Sequence, residues 1–170
     1  MLLHAPRHAR STAPTPLGLS DLTALTREIA DEVRAGAHLV RVDPERRWYK
    51  LLRTDPYVDV WLISWATEQA AELHDHAGSL GALTVVSGSL VEQRWTTEGL
   101  RSRSLRAGRS AGFPLGHVHD VGNHEVTPAV SVHAYSPPLT AMSYYAVDDG
   151  LRLRRTRSEL TGSGSSKGVG

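Results

Sequence analysis

The stretch ELHDHAGSLGALTVVSGSLVE, residues 72–92, decides how the rest of the chain reads. Ser87-Gly88 sits between two apolar runs, Gly81–Val86 and Leu90–Trp95. Apolar runs on either side of a glycine turn read as a β-hairpin. Ahead of the hairpin stands His74-Asp75-His76. On a strand, residues two apart point to the same face. Both imidazoles can then meet one ion while Asp75 points away. Alone, such a pair is a weak signal, and the flanking sequence has to carry it.

The texture of the hairpin continues in both directions. Short runs rich in Val, Leu, Ile, Trp and Tyr fall at Arg47–Leu52, Val58–Trp65, Arg101–Leu105, His117–Val121, Ala129–Ser136 and Met142–Val147. Thr54-Asp55-Pro56, Glu98-Gly99 and Ser136-Pro137-Pro138 supply turns between them. Strands so closely spaced, without intervening helices, predict a mainly β fold, an antiparallel barrel or double-sheet jelly roll. One short helical segment precedes them. Ser20 can cap it, Asp21 sits in its first turn and Gly36 can end it. Leu22, Leu25, Ile29 and Val33 give it one apolar stripe, and Arg34 suits its C-terminal dipole. Trp61 and Trp65 share a face and are expected in the core or at a pocket rim. Tyr144 and Tyr145 are expected one in and one out.

The chain has 170 residues and no cysteine. That excludes a disulfide scaffold, a Cys-ligated zinc site, an iron–sulfur cluster and a thiol nucleophile. Any metal site must use His, Asp or Glu, and nine histidines are available. The formal charge of +1 gives no electrostatic case for nucleic acid or a membrane surface as partner. Residues 1–17 read as a disordered leader, 18–160 as one folded domain and 161–170 as a flexible Gly/Ser tail. Arg152, Arg154, Arg155 and Arg157 read as a solvated strand edge alternating with Leu151 and Leu153, in preference to an anion patch. Absence of cysteine is compatible with a reducing cytoplasm, the expected location. A monomer is compatible with the sequence, which leaves the oligomeric state open.

A second constellation lies downstream: Gly108-x5-Pro114-x-Gly116-x2-His119-x3-Asn123. This spacing resembles the second motif of the cupin superfamily, whose histidine is a metal ligand. His74, His76 and Gly88 resemble the first motif. The resemblance implies a cupin jelly roll with His74, His76 and His119 as metal ligands. Most cupins also place a Glu four or five residues after the His-x-His pair. Leu80 and Gly81 stand there, so the expected site is three neutral histidines without a carboxylate. Imidazoles suit Fe, Zn, Cu or Ni, and the ligands alone do not choose among them. His117 competes with His119, being two residues away on the same strand, and the motif spacing selects His119. His117 is then expected to line the pocket. Asn123 is either a hydrogen-bond partner behind the ligands or a turn residue. His4, His8 and His38 belong to no motif and are expected to be exposed, and His124 to sit in a turn.

Residues 72–92, together with Ser131-x-His133-x-Tyr135 and the Pro128 to Pro138 segment around it, resemble the cysteine dioxygenase family of thiol dioxygenases. The resemblance spans roughly residues 47–147. It implies an iron(II)-dependent dioxygenase that places both atoms of O2 on the sulfur of a small thiol, cysteine first among them, giving a sulfinate. It implies Ser131, His133 and Tyr135 as the catalytic row, with Tyr135 also touching substrate. Mammalian relatives crosslink the tyrosine to a cysteine at the position of Gly81, so no Cys–Tyr crosslink can form here. The family's substrate arginine follows an early tyrosine. Leu51 falls at that place, and Arg53, on the same strand face, is the expected carboxylate clamp beside His117. Three alternatives stay open: another thiol such as 3-mercaptopropionate, a carbon–carbon-cleaving cupin dioxygenase, or a metal-binding cupin without activity.

Overall fold

Period-two burial builds two sheets from one chain. The computed structural model describes residues 16–149 and 152–161. The expected leader falls outside them except for Pro16 and Leu17, and the expected tail except for Thr161. One helix, α1 (Leu19–Arg34), precedes the strands β1 (Tyr49–Thr54), β2 (Asp59–Trp65), β3 (His74–Asp75), β4 (Leu80–Ser87), β5 (Ser89–Thr96) and β6 (Gly99–Arg106). β7 (Ser110–Phe113), β8 (His119–Gly122), β9 (Ala129–Ser136), β10 (Ala141–Val147) and β11 (Leu153–Leu160) follow. One sheet runs β1-β2-β9-β4-β7 and the other β11-β10-β3-β8-β5-β6, with antiparallel pairing throughout.

β9 lies at the centre of the first sheet, and every one of its residues is buried. Its alternation divides them between two cores. Val130, Val132 and Ala134 join Val60, Leu62 and Ala82 under α1. Tyr135 points the other way, into the core between the sheets with Ile63, Trp65, Leu83 and Phe113. Ser131 and His133 share its face by the period of two. A polar row on a strand buried on both sides is therefore an interior feature, and a costly one unless its groups are hydrogen-bonded.

The helix differs from expectation at its start. Gly18 is the N-cap, and its backbone N–H donates to Asp21 Oδ2 at 3.2 Å, so Ser20 lies inside the first turn. The buried face is Leu22, Thr26, Ala30 and Val33, with Leu25 and Ile29 packed at its margin. Thr26 can be buried because its hydroxyl meets that of Thr84 at 2.8 Å. No helix among the described residues is long and apolar enough to cross a membrane.

The hairpin between β4 and β5 turns at Gly88 with φ +73°. A Cβ there would lie 2.8 Å from both Ala129 Cα and Pro128 O, which are backbone atoms and cannot swing aside. Gly88→Ala therefore combines left-handed strain with a backbone clash. We expect a loss of about 2–4 kcal/mol in urea unfolding.

Candidate metal centre

His74 ends in the interior because β3 is clamped from both sides. His74 pairs with His119 of β8 and with Tyr144 of β10. Asp75 faces away, as the alternation requires. Its carboxylate accepts from the Tyr145 hydroxyl at 2.6 Å and from the Ala77 backbone N–H at 3.0 Å. These bonds hold the two-residue strand and the turn after it, and so set where His76 points.

The three rings form a nearly equilateral triangle. Their centroids are 5.0 Å apart for His74 and His76, 4.9 Å for His74 and His119, and 5.1 Å for His76 and His119. One ring nitrogen from each lies within 4.8 Å of the others, and all three side chains are buried. The tautomers follow from the outer contacts. His74 Nδ1–H donates to the Glu72 carbonyl at 2.6 Å, and His119 Nδ1–H to Glu92 Oε1 at 3.0 Å. Each Nε2 is then a lone-pair acceptor. Among the described residues His119 Nε2 has no hydrogen-bond partner, and His74 Nε2 faces His76 Nε2 at 3.2 Å. Burial lowers the pKa of His74 to about 3 and holds His76 well below its ordinary value. Burial also lowers His119, against an opposing pull from Glu92. Converging lone pairs on neutral, buried imidazoles suit a divalent transition metal.

Glu92 is the residue that sequence reading missed. It is fully buried on β5. Its Oε1 accepts from His117 Nε2–H at 2.9 Å as well as from His119, and its Oε2 accepts from Arg103 Nε–H. Burial alone would raise Glu92, but the bonds from His117, His119 and Arg103 overcome it and hold the carboxyl well below the usual range. His117 stacks on Phe113 at 5.4 Å and spends its Nε2–H on Glu92, outside the triangle.

The row on β9 lies across the interior. Trp65 Nε1–H donates to Ser131 Oγ at 2.9 Å, and Ser131 Oγ meets His133 Nε2 at 2.9 Å. His133 Nδ1 stands 3.4 Å from the Tyr135 hydroxyl. Trp is donor-only, so Ser131 Oγ accepts from it, and its second lone pair and its O–H both remain available to His133 Nε2. With the Ser131 O–H directed at Nε2, the His133 proton sits on Nδ1, facing the tyrosine oxygen; with the other tautomer, Nε2–H donates to Ser131 and the Tyr135 O–H donates to Nδ1. The first of these arrangements leaves the Tyr135 O–H to point away from His133. Burial keeps His133 neutral, with a pKa lowered to about 3, and raises Tyr135 far above its ordinary value despite the charge of Arg47. The Tyr135 ring lies 4.8 Å from that of His76. A Cβ on Gly81 would come within 3.1 Å of the Tyr135 ring and 2.9 Å of Phe113, so glycine makes the space the ring occupies.

Arg53 is not brought to this site. A β-bulge between Leu51 and Arg53 breaks the strand register, so the two do not share a face as regular alternation would have them. The Arg53 side chain is 52% exposed and pairs with Asp55 at 2.7 Å. The arginine at the interior is Arg47. Its guanidinium lies over the Trp65 ring at 4.8 Å, and its charge acts on His74, His133, Tyr135 and Tyr144. Burial lowers its own pKa. The available signal was alternation: Arg47 is two residues before Tyr49, whose ring packs at 5.9 Å on Trp61 in the same core. Asn123 is a turn lock, its side-chain amide donating to the Trp65 and Thr127 carbonyls. His38 sits near Glu32 at the surface, and His124 is half-exposed near Glu68. His4 and His8 lie outside the described residues.

Two antiparallel sheets with histidines converging from β3, its following turn and β8 define a cupin-type double-stranded β-helix with a candidate metal site. Solved structures share the fold. A Thermus thermophilus protein matches at 25% identity and TM-score 0.53, over 59% of this chain and 91% of that one. A double-stranded β-helix protein from Klebsiella pneumoniae matches at 21% and 0.52, over 58% and 83%. A cupin-superfamily sugar phosphate isomerase from Silicibacter pomeroyi matches at 20% and 0.52, over 67% and 78%. No curated protein matches the chain. The family model of cysteine dioxygenase type I matches residues 19–148, and the chain belongs to that family. Membership makes it a metal-dependent oxidoreductase; β11 lies beyond the matched segment.

Proposed function

We propose that this protein is an iron(II)-dependent thiol dioxygenase that converts a small carboxylate-bearing thiol, cysteine foremost, to its sulfinate. The observation that carries the reading is the hydrogen-bonded row Trp65, Ser131, His133, Tyr135 ending beside the three-histidine triangle. His74, His76 and His119 would hold the iron, whose bound form supplies Lewis acidity toward the thiol and redox chemistry toward O2. In the arrangement with His133 Nδ1–H on the Tyr135 oxygen, Tyr135 serves as a fixed neutral donor whose ionisation burial suppresses. Its O–H is aimed without reorganisation when charge develops on oxygen. Arg47 replaces Arg53 as the group that binds the substrate carboxylate. Its planar fork is buried on one side by Trp65, so it is oriented before the substrate arrives. Phe113, Leu83 and Tyr144 supply apolar side chains to the same core as Tyr135.

Oxygen uptake across cysteine, cysteamine, 3-mercaptopropionate and mercaptosuccinate, with iron quantified and products identified, tests this. We expect sulfinate from a carboxylate-bearing thiol, with little from cysteamine. In Arg47→Met, KM for carboxylate thiols should rise roughly thirty-fold or more, the usual cost of losing a buried charge-assisted pair. Absence of thiol-dependent oxygen uptake across the panel would overturn the proposal. A carbon–carbon-cleaving reaction at the same triangle has no observation specifically in its favour.

A further inference from the structure

The ligand triangle is electrically neutral, yet a buried carboxylate stands directly behind one corner of it. We propose that Glu92 is the positioning residue of this metal centre, fixing His119 as the ligand and delivering through its ring the negative charge that the three-histidine set lacks. The inference rests on the metal-centre reading of His74, His76 and His119.

Three donors converge on Glu92. His119 Nδ1 and His117 Nε2 share Oε1, at 3.0 and 2.9 Å, and Arg103 Nε binds Oε2. An ionised carboxylate is acceptor-only, so both histidine nitrogens that face it must carry protons. For His119 this places the lone pair on Nε2, the buried nitrogen left without a partner. For His117 it removes Nε2 from metal binding. One carboxylate thus selects between two histidines two residues apart on the chain. Leu80 and Gly81 follow the His74–His76 pair, and the triangle itself is three histidines without a carboxylate. Glu92 sits one imidazole further out. A carboxylate hydrogen-bonded to a ligating imidazole raises its basicity and strengthens its bond to the metal. Arg103, half-exposed on β6, opposes that effect from the other oxygen.

The two charges make opposite predictions. Metal affinity is measured by chelator competition with Co(II), and the Fe(III)/Fe(II) potential by redox titration, on the full chain. Glu92→Gln keeps the shape and removes the charge. We expect metal binding about ten- to a hundred-fold weaker, with a raised potential and an altered Co(II) ligand-field spectrum. Glu92→Asp should recover part of the loss. Arg103→Gln leaves the carboxylate opposed by imidazole donors alone, and should tighten metal binding and lower the potential. General damage to the site would move both variants the same way. Arg103 is 40% exposed on its side chain, so its variant tests the network even if Glu92→Gln does not fold. Shifts of the same sign, or no shift in either variant while the wild type binds one ion, would overturn the role of Glu92. So would unchanged or weakened binding in Arg103→Gln alone. Failure of the wild type to bind either metal would instead overturn the metal centre, and this inference with it.

Discussion

His119→Ala is expected to lower metal content from near-stoichiometric to almost none, whereas His117→Ala keeps most of it. The two histidines lie on the same face of one chain segment, and their rings are 4.9 Å apart. Sequence proximity therefore cannot separate them, but hydrogen bonding does. His119 directs Nδ1–H at Glu92 and an unpartnered Nε2 into the triangle. His117 directs Nε2 at Glu92 and stacks on Phe113. Structural zinc sites of four protein ligands bind with apparent energies of about 10–16 kcal/mol, so each ligand accounts for roughly 2.5–4 kcal/mol. Losing one of three should weaken binding by about two to three orders of magnitude. His117→Ala instead removes one of three donors from Glu92, leaving His119 and Arg103 in place. Metal analysis after anaerobic loading, with melting curves as a control for folding, reads the difference. Equal loss in both variants would overturn the ligand assignment.

The sequence made the histidines legible because motif spacing and strand periodicity agree there. His74 and His76 are two apart, and His119 follows the glycine and proline pattern at a fixed distance. The long apolar strands β2, β4 and β9 were legible for the same reason. β3 and β7 were not, since two residues and Ser-Ala-Gly-Phe carry no periodic signal. Their pairing partners define them. β11 read only as an Arg-rich edge, and it is one: Leu153 is half-buried, the residues after it are exposed, and Arg157 crosses Tyr144 at 3.7 Å to reach Glu72. Arg53 failed because a bulge is invisible to a period-two count. Glu92 was overlooked because charge suggests exposure, although it follows Leu90 by two residues and so shares its buried face. A carboxylate in register with core residues was the available clue.

Tyr135→Phe should retain the metal and lose about a hundred- to a thousand-fold in sulfinate formation, the usual cost of deleting one preorganised donor. The ring is fully buried and packed against Gly81 and His76, and phenylalanine keeps that packing. Only the hydroxyl is removed. Its loss leaves His133 Nδ1 without its tyrosine partner, an unsatisfied buried polar atom worth about 1–3 kcal/mol of stability. A modest fall in melting temperature is therefore expected and does not by itself report on catalysis. The informative quantity is how the kinetic loss divides. If the hydroxyl acts only as charge develops on oxygen, kcat falls and KM barely moves. If it chiefly binds the substrate carboxylate beside Arg47, KM rises and kcat holds. The proposed orientation of the O–H, with His133 on the tyrosine oxygen, favours the first outcome, and Arg47 already supplies the fixed positive charge. Unchanged turnover in a metal-loaded Tyr135→Phe protein would remove the hydroxyl, and the row that aims it, from the mechanism.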